Sequence, residues 1–394
     1  MNNRQCVHRH KDKVRGCPQK AYPSGMSDVT ENAATPTPRP VIGRLPDYKA
    51  GKPPVVIPGL QPYKLSSNEN PGTPVPSVAQ AIKSYDDYNR YPDPLSTKLR
   101  NRLAEHFDIP ADDIVTGTGS LGALTQIINA FAGTNEDGTG DEVIYPWRSF
   151  EAYPIIVETA GATSVQVPLT EDHRIDLDAM VEAVTENTSV MILCTPNNPT
   201  GPVLRTAEVE DLLSKVPSNV LVVIDEAYLE YLRDDEAVNG LEMYRKYPNV
   251  VALRTFSKAH SLANLRVGYS VSQPHITQSL RKVAVPFGVS SVAEAAAVAS
   301  IDAIDEVLAR VEETVQERNK VVAALTEQGW DIPETHANFV WLPLGERTAE
   351  FAEAAGQQAL SVRAFEGEGV RVSIGEPEGN ARFIELCAEF IKRS

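Results

Sequence analysis

Lys258 follows Thr255-Phe256-Ser257 and precedes Ala259-His260, with Arg266 a short way downstream. An amine beside a hydroxyl, directly after an apolar run, is suited to holding an aldehyde, and a trailing arginine is suited to gripping a phosphate. Taken alone, a Ser-Lys pair is most often solvated surface. Its weight comes from what accompanies it along the chain.

The run Leu221–Ile224 ends in Asp225-Glu226-Ala227-Tyr228, and Val190–Cys194 ends in Thr195-Pro196-Asn197-Asn198-Pro199-Thr200-Gly201. Ile114-Val115 leads into Thr116-Gly117-Thr118-Gly119-Ser120, a turn that opens a helix expected over 124–131. Free N–H groups at such a helix start suit a phosphate. Each feature also has an ordinary structural reading. Asp225 could cap the next segment, Asn198–Gly201 could be a plain turn, Phe150 could be core and Arg371 a surface ion pair.

The elements that must carry these groups are legible from hydropathy. Val143–Tyr145, Val190–Cys194, Leu221–Ile224 and Val250–Leu253 are apolar throughout rather than alternating, as expected of strands buried on both faces of a mainly parallel sheet. Helical segments between them make an α/β fold. Ligands of such sheets sit outside the carboxyl ends of the strands, so the polar groups above are expected to converge on one crevice. After Pro286 the pattern changes to one long helical region, about 292–325, followed by shorter segments that read as a second, smaller domain. Residues 134–140 read as a flexible surface loop.

The bulk numbers exclude several classes. The chain has 394 residues, 42% of them apolar, and a net charge of −16, which disfavours a nucleic-acid surface. No stretch approaches the ~18 consecutive apolar residues of a transmembrane helix. The basic N-terminus lacks the apolar core of a secretory signal. Four scattered cysteines (Cys6, Cys17, Cys194 and Cys387) imply no disulfide framework and fit a reducing cytoplasm. Residues 1–40 read as a disordered extension. Cys6, His8, His10 and Cys17 match no standard zinc spacing, and translation from Met26 is a second expectation for this region.

Several motifs occur in a shared order: Ser-Asn-Glu-Asn-Pro (67–71), Asn-Arg-Tyr-Pro-Asp-Pro (89–94), Asn-Asn-Pro-Thr-Gly, Asp-Glu-Ala-Tyr, Thr-Phe-Ser-Lys-Ala and Leu-Arg-Val-Gly-Tyr. With them, residues 41–394 resemble the class I/II aminotransferases dependent on pyridoxal 5′-phosphate, in the branch holding histidinol-phosphate and aromatic amino acid aminotransferases. The resemblance implies a fold type I architecture: a large domain with a mainly parallel seven-stranded sheet flanked by helices, plus a small α+β domain. It divides the chain into the extension 1–40, an N-terminal arm 41–66 joining the small domain, a large cofactor-binding domain 67–285, and a linking helix with the small domain over 286–394.

The same resemblance implies the roles. Lys258 would form a Schiff base with the cofactor and move the proton at the substrate Cα, and Asp225 would pair with the pyridine nitrogen. Asn198 and Tyr228 would hydrogen-bond the ring oxygen, and Phe150 would stack on the ring. Gly119, Ser120, Ser257 and Arg266 would hold the phosphate, with Tyr91 reaching it from the neighbouring subunit of a homodimer. Arg371 would grip the substrate carboxylate, with Arg363 and Tyr48 completing the substrate site. Leu121-Gly122 and Gly288–Ser291 stand where the histidinol-phosphate branch tends to be polar, and Trp147–Pro154 resembles the aromatic type. Phenylalanine or tyrosine with 2-oxoglutarate is therefore the expected substrate pair, and histidinol phosphate is the alternative, toward which Arg363 points because it resembles a second arginine of that branch, although the aromatic branch keeps a similar one. Ser261 and Asn264 replace glycines of the family pattern, which puts that loop's local shape in question. Relatives that decarboxylate, cleave C–S bonds or regulate transcription are the competing classes, and no DNA-binding module is legible.

Overall fold

The computed structural model describes residues 36–392. Of the disordered extension expected over 1–40, residues 1–35, with the cluster Cys6, His8, His10 and Cys17 and the start at Met26, lie outside the described residues. Two units are distinct, Met1–Gly43 and Arg44–Ser394. Within the described part of the first, Pro40–Gly43 makes one 3-10 turn.

The second unit carries the strands β1 (Tyr63–Lys64), β2 (Ile114–Gly117), β3 (Glu142–Trp147), β4 (Thr163–Pro168), β5 (Thr188–Cys194) and β6 (Leu221–Asp225). They are followed by β7 (Val250–Thr255), β8 (Gly268–Val271), β9 (Phe339–Leu342), β10 (Leu360–Ser361), β11 (Arg363–Phe365) and β12 (Gly369–Ser373). Seven of them form one sheet in the order β2-β8-β7-β6-β5-β3-β4. Pairing from β4 through β7 is parallel, and β8 runs against both of its neighbours.

Side chains on a strand alternate between faces, and both faces of this sheet are covered. Val190 and Ile192 pack on one side with Leu124, Ile127 and Val157 of the helices Gly119–Phe131 and Ala152–Ala160. Met191 and Leu193 pack on the other with Val209 and Leu212 of the helix Thr206–Lys215. This is why the central strands read as unbroken apolar runs. The alternation also fixes the site: Asp225 shares the face of Leu221 and Val223, toward the helix Ala152–Ala160.

A three-stranded antiparallel sheet, β11-β12-β9, forms the second layer system. Val370 and Val372 of β12 point into a core with Phe351, Phe383 and Phe390. Arg371, between them, faces the opposite way. β1 pairs in parallel with β10, and Leu65 joins that core, so the arm around 63–65 is tied to the C-terminal part of the chain.

The expected single helical region over 292–325 is two helices, Ser291–Asp302 and Ile304–Glu327, meeting at Ala303 (φ −104°, ψ 29°). Asp305 and Glu306 occupy the first turn of the second helix, where acidic side chains meet the positive end of the peptide dipoles. The helix expected from Leu124 starts at Gly119, so the Gly119–Leu121 amides are its first turn. Residues 134–140 are tied at their base by a Thr134–Gly140 bridge and by Asp137, whose Oδ1 accepts from Thr139 N at 2.9 Å.

Candidate active site

The carboxyl ends of β5, β6 and β7 open onto a cavity of about 350 Å³, with β11 and β12 on its far side. Asn198, Asp225, Tyr228, Ser257 and Lys258 line its floor. Ser120, Arg266 and Phe150 line it from the large sheet's side, and Tyr48, Arg363 and Arg371 from the opposite wall. Gly119 lies directly behind Arg266: a Cβ there would sit 2.4 Å from Arg266 Nη2. Tyr91 is not among the lining residues. It is 83% exposed and stacks on Phe287 with ring centroids 4.7 Å apart.

Lys258 follows the last residues of β7 and is half-buried. Its Nζ donates to Ser67 O at 3.2 Å. Burial, helped by the nearby Arg371 and Arg266 guanidinium groups and opposed by Glu69, brings its amine down to about 7. A neutral amine is therefore well populated at ordinary pH.

Asp225 ends β6. Tyr153 Oη donates to its Oδ2 at 2.7 Å, while Oδ1 is buried without a hydrogen-bond partner among the described residues. Burial pushes the carboxyl up to about 6, although the Tyr153 hydroxyl acts the other way. Tyr153 was not singled out in the sequence for this role. It lies three residues after Phe150, whose ring meets it edge-on at 5.6 Å, and its only mark in the sequence is its place in the Trp147–Pro154 stretch.

Tyr228 is buried, and its hydroxyl oxygen accepts from Asn68 Nδ2 at 2.9 Å. The hydroxyl proton is thereby left to donate into the cavity. Asn68 is held in turn by Ser373, which accepts from its backbone N–H at 2.7 Å and donates to its Oδ1 at 2.9 Å. Asn198 Oδ1 accepts from Arg371 Nη1 at 2.6 Å, which orients its Nδ2 donors elsewhere. Arg371 Nη2 donates to Ser66 O at 2.9 Å, and its buried Nε has no partner among the described residues.

At the end expected to take the phosphate, Thr118 supplies no side-chain cap to the helix Gly119–Phe131, so no N-cap side chain competes for its first amides. Arg266 Nη1 donates to Ser257 Oγ at 3.3 Å and to Ala263 O at 2.8 Å. Arg266 itself has φ 54° and Ser261 φ 59°, both left-handed. Ser261 thus adopts the conformation that the missing glycine would take at no cost; Asn264 is not among the left-handed residues.

Residues 61–386 match the family Aminotransferase class I and II, and the chain belongs to it. It is 53% identical, over 91% of its length and 98% of the relative's, to an aromatic amino acid aminotransferase of Streptomyces avermitilis. A second relative of that name, from Streptomyces coelicolor, is 52% identical over the same shares. Among solved structures, it is similar to histidinol-phosphate aminotransferase from Sinorhizobium meliloti in complex with pyridoxal-5′-phosphate. That similarity has a TM-score of 0.79 and 27% identity over 92% of this chain and 99% of that one. The chain is a pyridoxal-phosphate-dependent aminotransferase of fold type I.

The residues fit that cofactor on their own chemistry. The orphaned, buried Asp225 Oδ1 calls for a cationic N–H donor, and an uncapped helix start beside Ser257 and Arg266 suits a phosphate. A depressed lysine amine suits an aldehyde. Among the described residues no cluster of His, Cys, Asp and Glu could hold a metal ion, and no helix is long and apolar enough to cross a membrane.

Proposed function

We propose that this aminotransferase moves the amino group of phenylalanine or tyrosine to 2-oxoglutarate, and back. The observation that carries this reading is the 53% identity, across nine-tenths of the chain, to a relative named for aromatic amino acids. The cavity supports it: Leu121, Phe150 and Phe365 supply apolar lining, and a phenyl ring there leaves no polar group unpaired.

Pyridoxal 5′-phosphate, when bound, supplies an aldehyde that carries the amino group and a ring that takes up the electron pair released at Cα. The chain's residues do the rest. Lys258 Nζ, neutral in part near pH 7, would take the proton from the donor's Cα and deliver it to the carbon of the cofactor's former aldehyde, and would carry it the opposite way for the 2-oxo acceptor. Asp225, held in place by Tyr153, would accept from the ring nitrogen and favour its protonated form. Tyr228 and Asn198 would donate to the ring oxygen, and Phe150 would cover the ring face. The first amides of the helix Gly119–Phe131, with Ser120, Ser257 and Arg266, bind the phosphate. Arg371, which lines the cavity, would bind the α-carboxylate through its guanidinium. Arg363 and Tyr48 stand at the substrate's side-chain end.

We assign the working form to a homodimer in which Tyr91 of one protomer reaches the phosphate of the other. Its 83% exposure and its separation from its own chain's cavity support this. A cytoplasmic setting accords with Cys194 and Cys387 as buried free thiols. We keep the division into an arm over 41–66, a large domain over 67–285, and a linking helix with the small domain over 286–394 as part of this reading. The test is stoichiometry. Phenylpyruvate should form one-for-one with glutamate, and beyond one equivalent per active site only when 2-oxoglutarate is present; phenylpyruvate in excess of the active sites without acceptor, or carbon dioxide release, would contradict transamination of this donor.

A further inference from the structure

Two acid–base pairs join the segment before the helix Ala152–Ala160 to the β11–β12 hairpin. Arg148 pairs with Glu368, in the hairpin's turn. Glu151 pairs with Arg363, whose Nε and Nη2 both donate to Glu151 Oε2, at 3.2 and 2.5 Å. The pairs differ in place: Glu151 and Arg363 line the cavity, whereas Arg148 and Glu368 do not.

Arg363 stands directly opposite Arg371 in the β11–β12 register. Two guanidinium groups side by side repel each other, and without an acid the cavity would attract anions at both. Glu151 neutralises one of them. The Glu151 and Arg363 side chains are only 25% and 12% exposed, so their charges are poorly screened by water. Phe365 lies beneath the same guanidinium, its ring centroid 5.1 Å from Cζ. The side-chain end of the cavity is therefore an aromatic surface capped by a closed ion pair rather than a free cation.

We propose that Glu151 determines side-chain specificity by acting as an exchangeable counter-ion for Arg363, an inference that rests on the aromatic reading above. An uncharged ring leaves the pair intact and stacks below it. An anionic side chain gains Arg363 only by displacing Glu151 or by sitting beside a like charge. A 2-oxo dicarboxylate meets one such carboxylate, and a phosphate ester, with its larger charge, is rejected more strongly. Specificity is then set by a built-in repulsion as much as by attraction.

The experiment measures binding of glutarate and of 3-phenylpropionate to the holoenzyme by calorimetry, for the wild type, Glu151→Gln and Glu368→Gln. Glu151→Gln should raise glutarate affinity relative to 3-phenylpropionate about tenfold or more, because Arg363 is freed. Glu368→Gln breaks the pair outside the cavity and should leave the ratio within about twofold. An unchanged ratio in Glu151→Gln, a ratio moved in the opposite direction, or equal shifts in the two variants would overturn the proposal, since a purely structural link predicts equal shifts. Failure of the aromatic reading would be seen separately, as a wild-type holoenzyme that does not turn over phenylalanine whatever the binding ratio.

Discussion

Burial drives Lys258 and Asp225 in opposite directions, the amine down to about 7 and the carboxyl up to about 6, because a low-dielectric site disfavours both charged forms. For the cofactor-free protein this has a signed consequence. Between the ordinary 3.8 and about 6, folded Asp225 holds a proton that the unfolded chain has released. Its contribution to stability is therefore complete below pH 4 and lost as pH rises through 6. Asp225→Asn should raise the Tm of the cofactor-free protein by roughly 2–4 °C at pH 7.5 and leave it unchanged near pH 4, a difference that calorimetric scans at the two pH values would register. The same substitution should weaken catalysis, since a neutral amide cannot hold a ring cation. Lys258→Ala should cost about 10³-fold or more in turnover and abolish the visible absorption of lysine-bound cofactor; survival of either would remove Lys258 from its role. Arg371→Ala should raise KM for phenylalanine at least ~100-fold while changing cofactor affinity less than about threefold. Steady-state kinetics and cofactor titration separate these effects.

At the scale of elements, β8 passes so close to the start of the helix Gly119–Phe131 that a Cβ on Gly268 would lie 2.3 Å from Ser120 N and 2.6 Å from Gly119 C. Gly268→Ala must therefore push away the amides proposed to bind the phosphate. Its equilibrium Kd for pyridoxal 5′-phosphate should rise about tenfold or more; an unchanged Kd would mean that those amides do not bind it. This strand was also the least legible in the sequence. Gly-Tyr-Ser-Val has neither an apolar run nor a clean alternation, and β4, at the sheet edge with only Val167 buried, gave no signal. By contrast, β5, β6 and β7 are buried on both faces and were legible as continuous apolar runs, so the convergence of Asn198, Asp225 and Lys258 could be argued before any coordinates. The Ala303 break was in principle readable from Asp305 and Glu306 but was hidden by an alanine-rich stretch that favours helix throughout. Tyr153 and Glu151 were legible only as members of a motif. Their partners, Asp225 and Arg363, lie 72 and 212 residues away, and no local spacing encodes such contacts.

For the whole molecule, Tyr91, Phe287 and Val285 form an exposed apolar patch, at 83, 43 and 70% exposure, of the kind a second copy would cover. If Tyr91 serves the partner's site, Tyr91→Ala and Lys258→Ala should complement one another. Random pairing of the two inactive proteins would restore one intact site in each hybrid and roughly a quarter of wild-type activity. Hybrids without recovered activity would confine each site to one chain. The central claim is that this cavity receives an uncharged aromatic side chain rather than a phosphate ester. The most direct measurement is kcat/KM for phenylalanine and for histidinol phosphate on the same holoenzyme, with 2-oxoglutarate as acceptor. The account predicts a preference for phenylalanine of about tenfold or more, about 1.4 kcal/mol in transition-state binding; a tenfold preference for histidinol phosphate would contradict it.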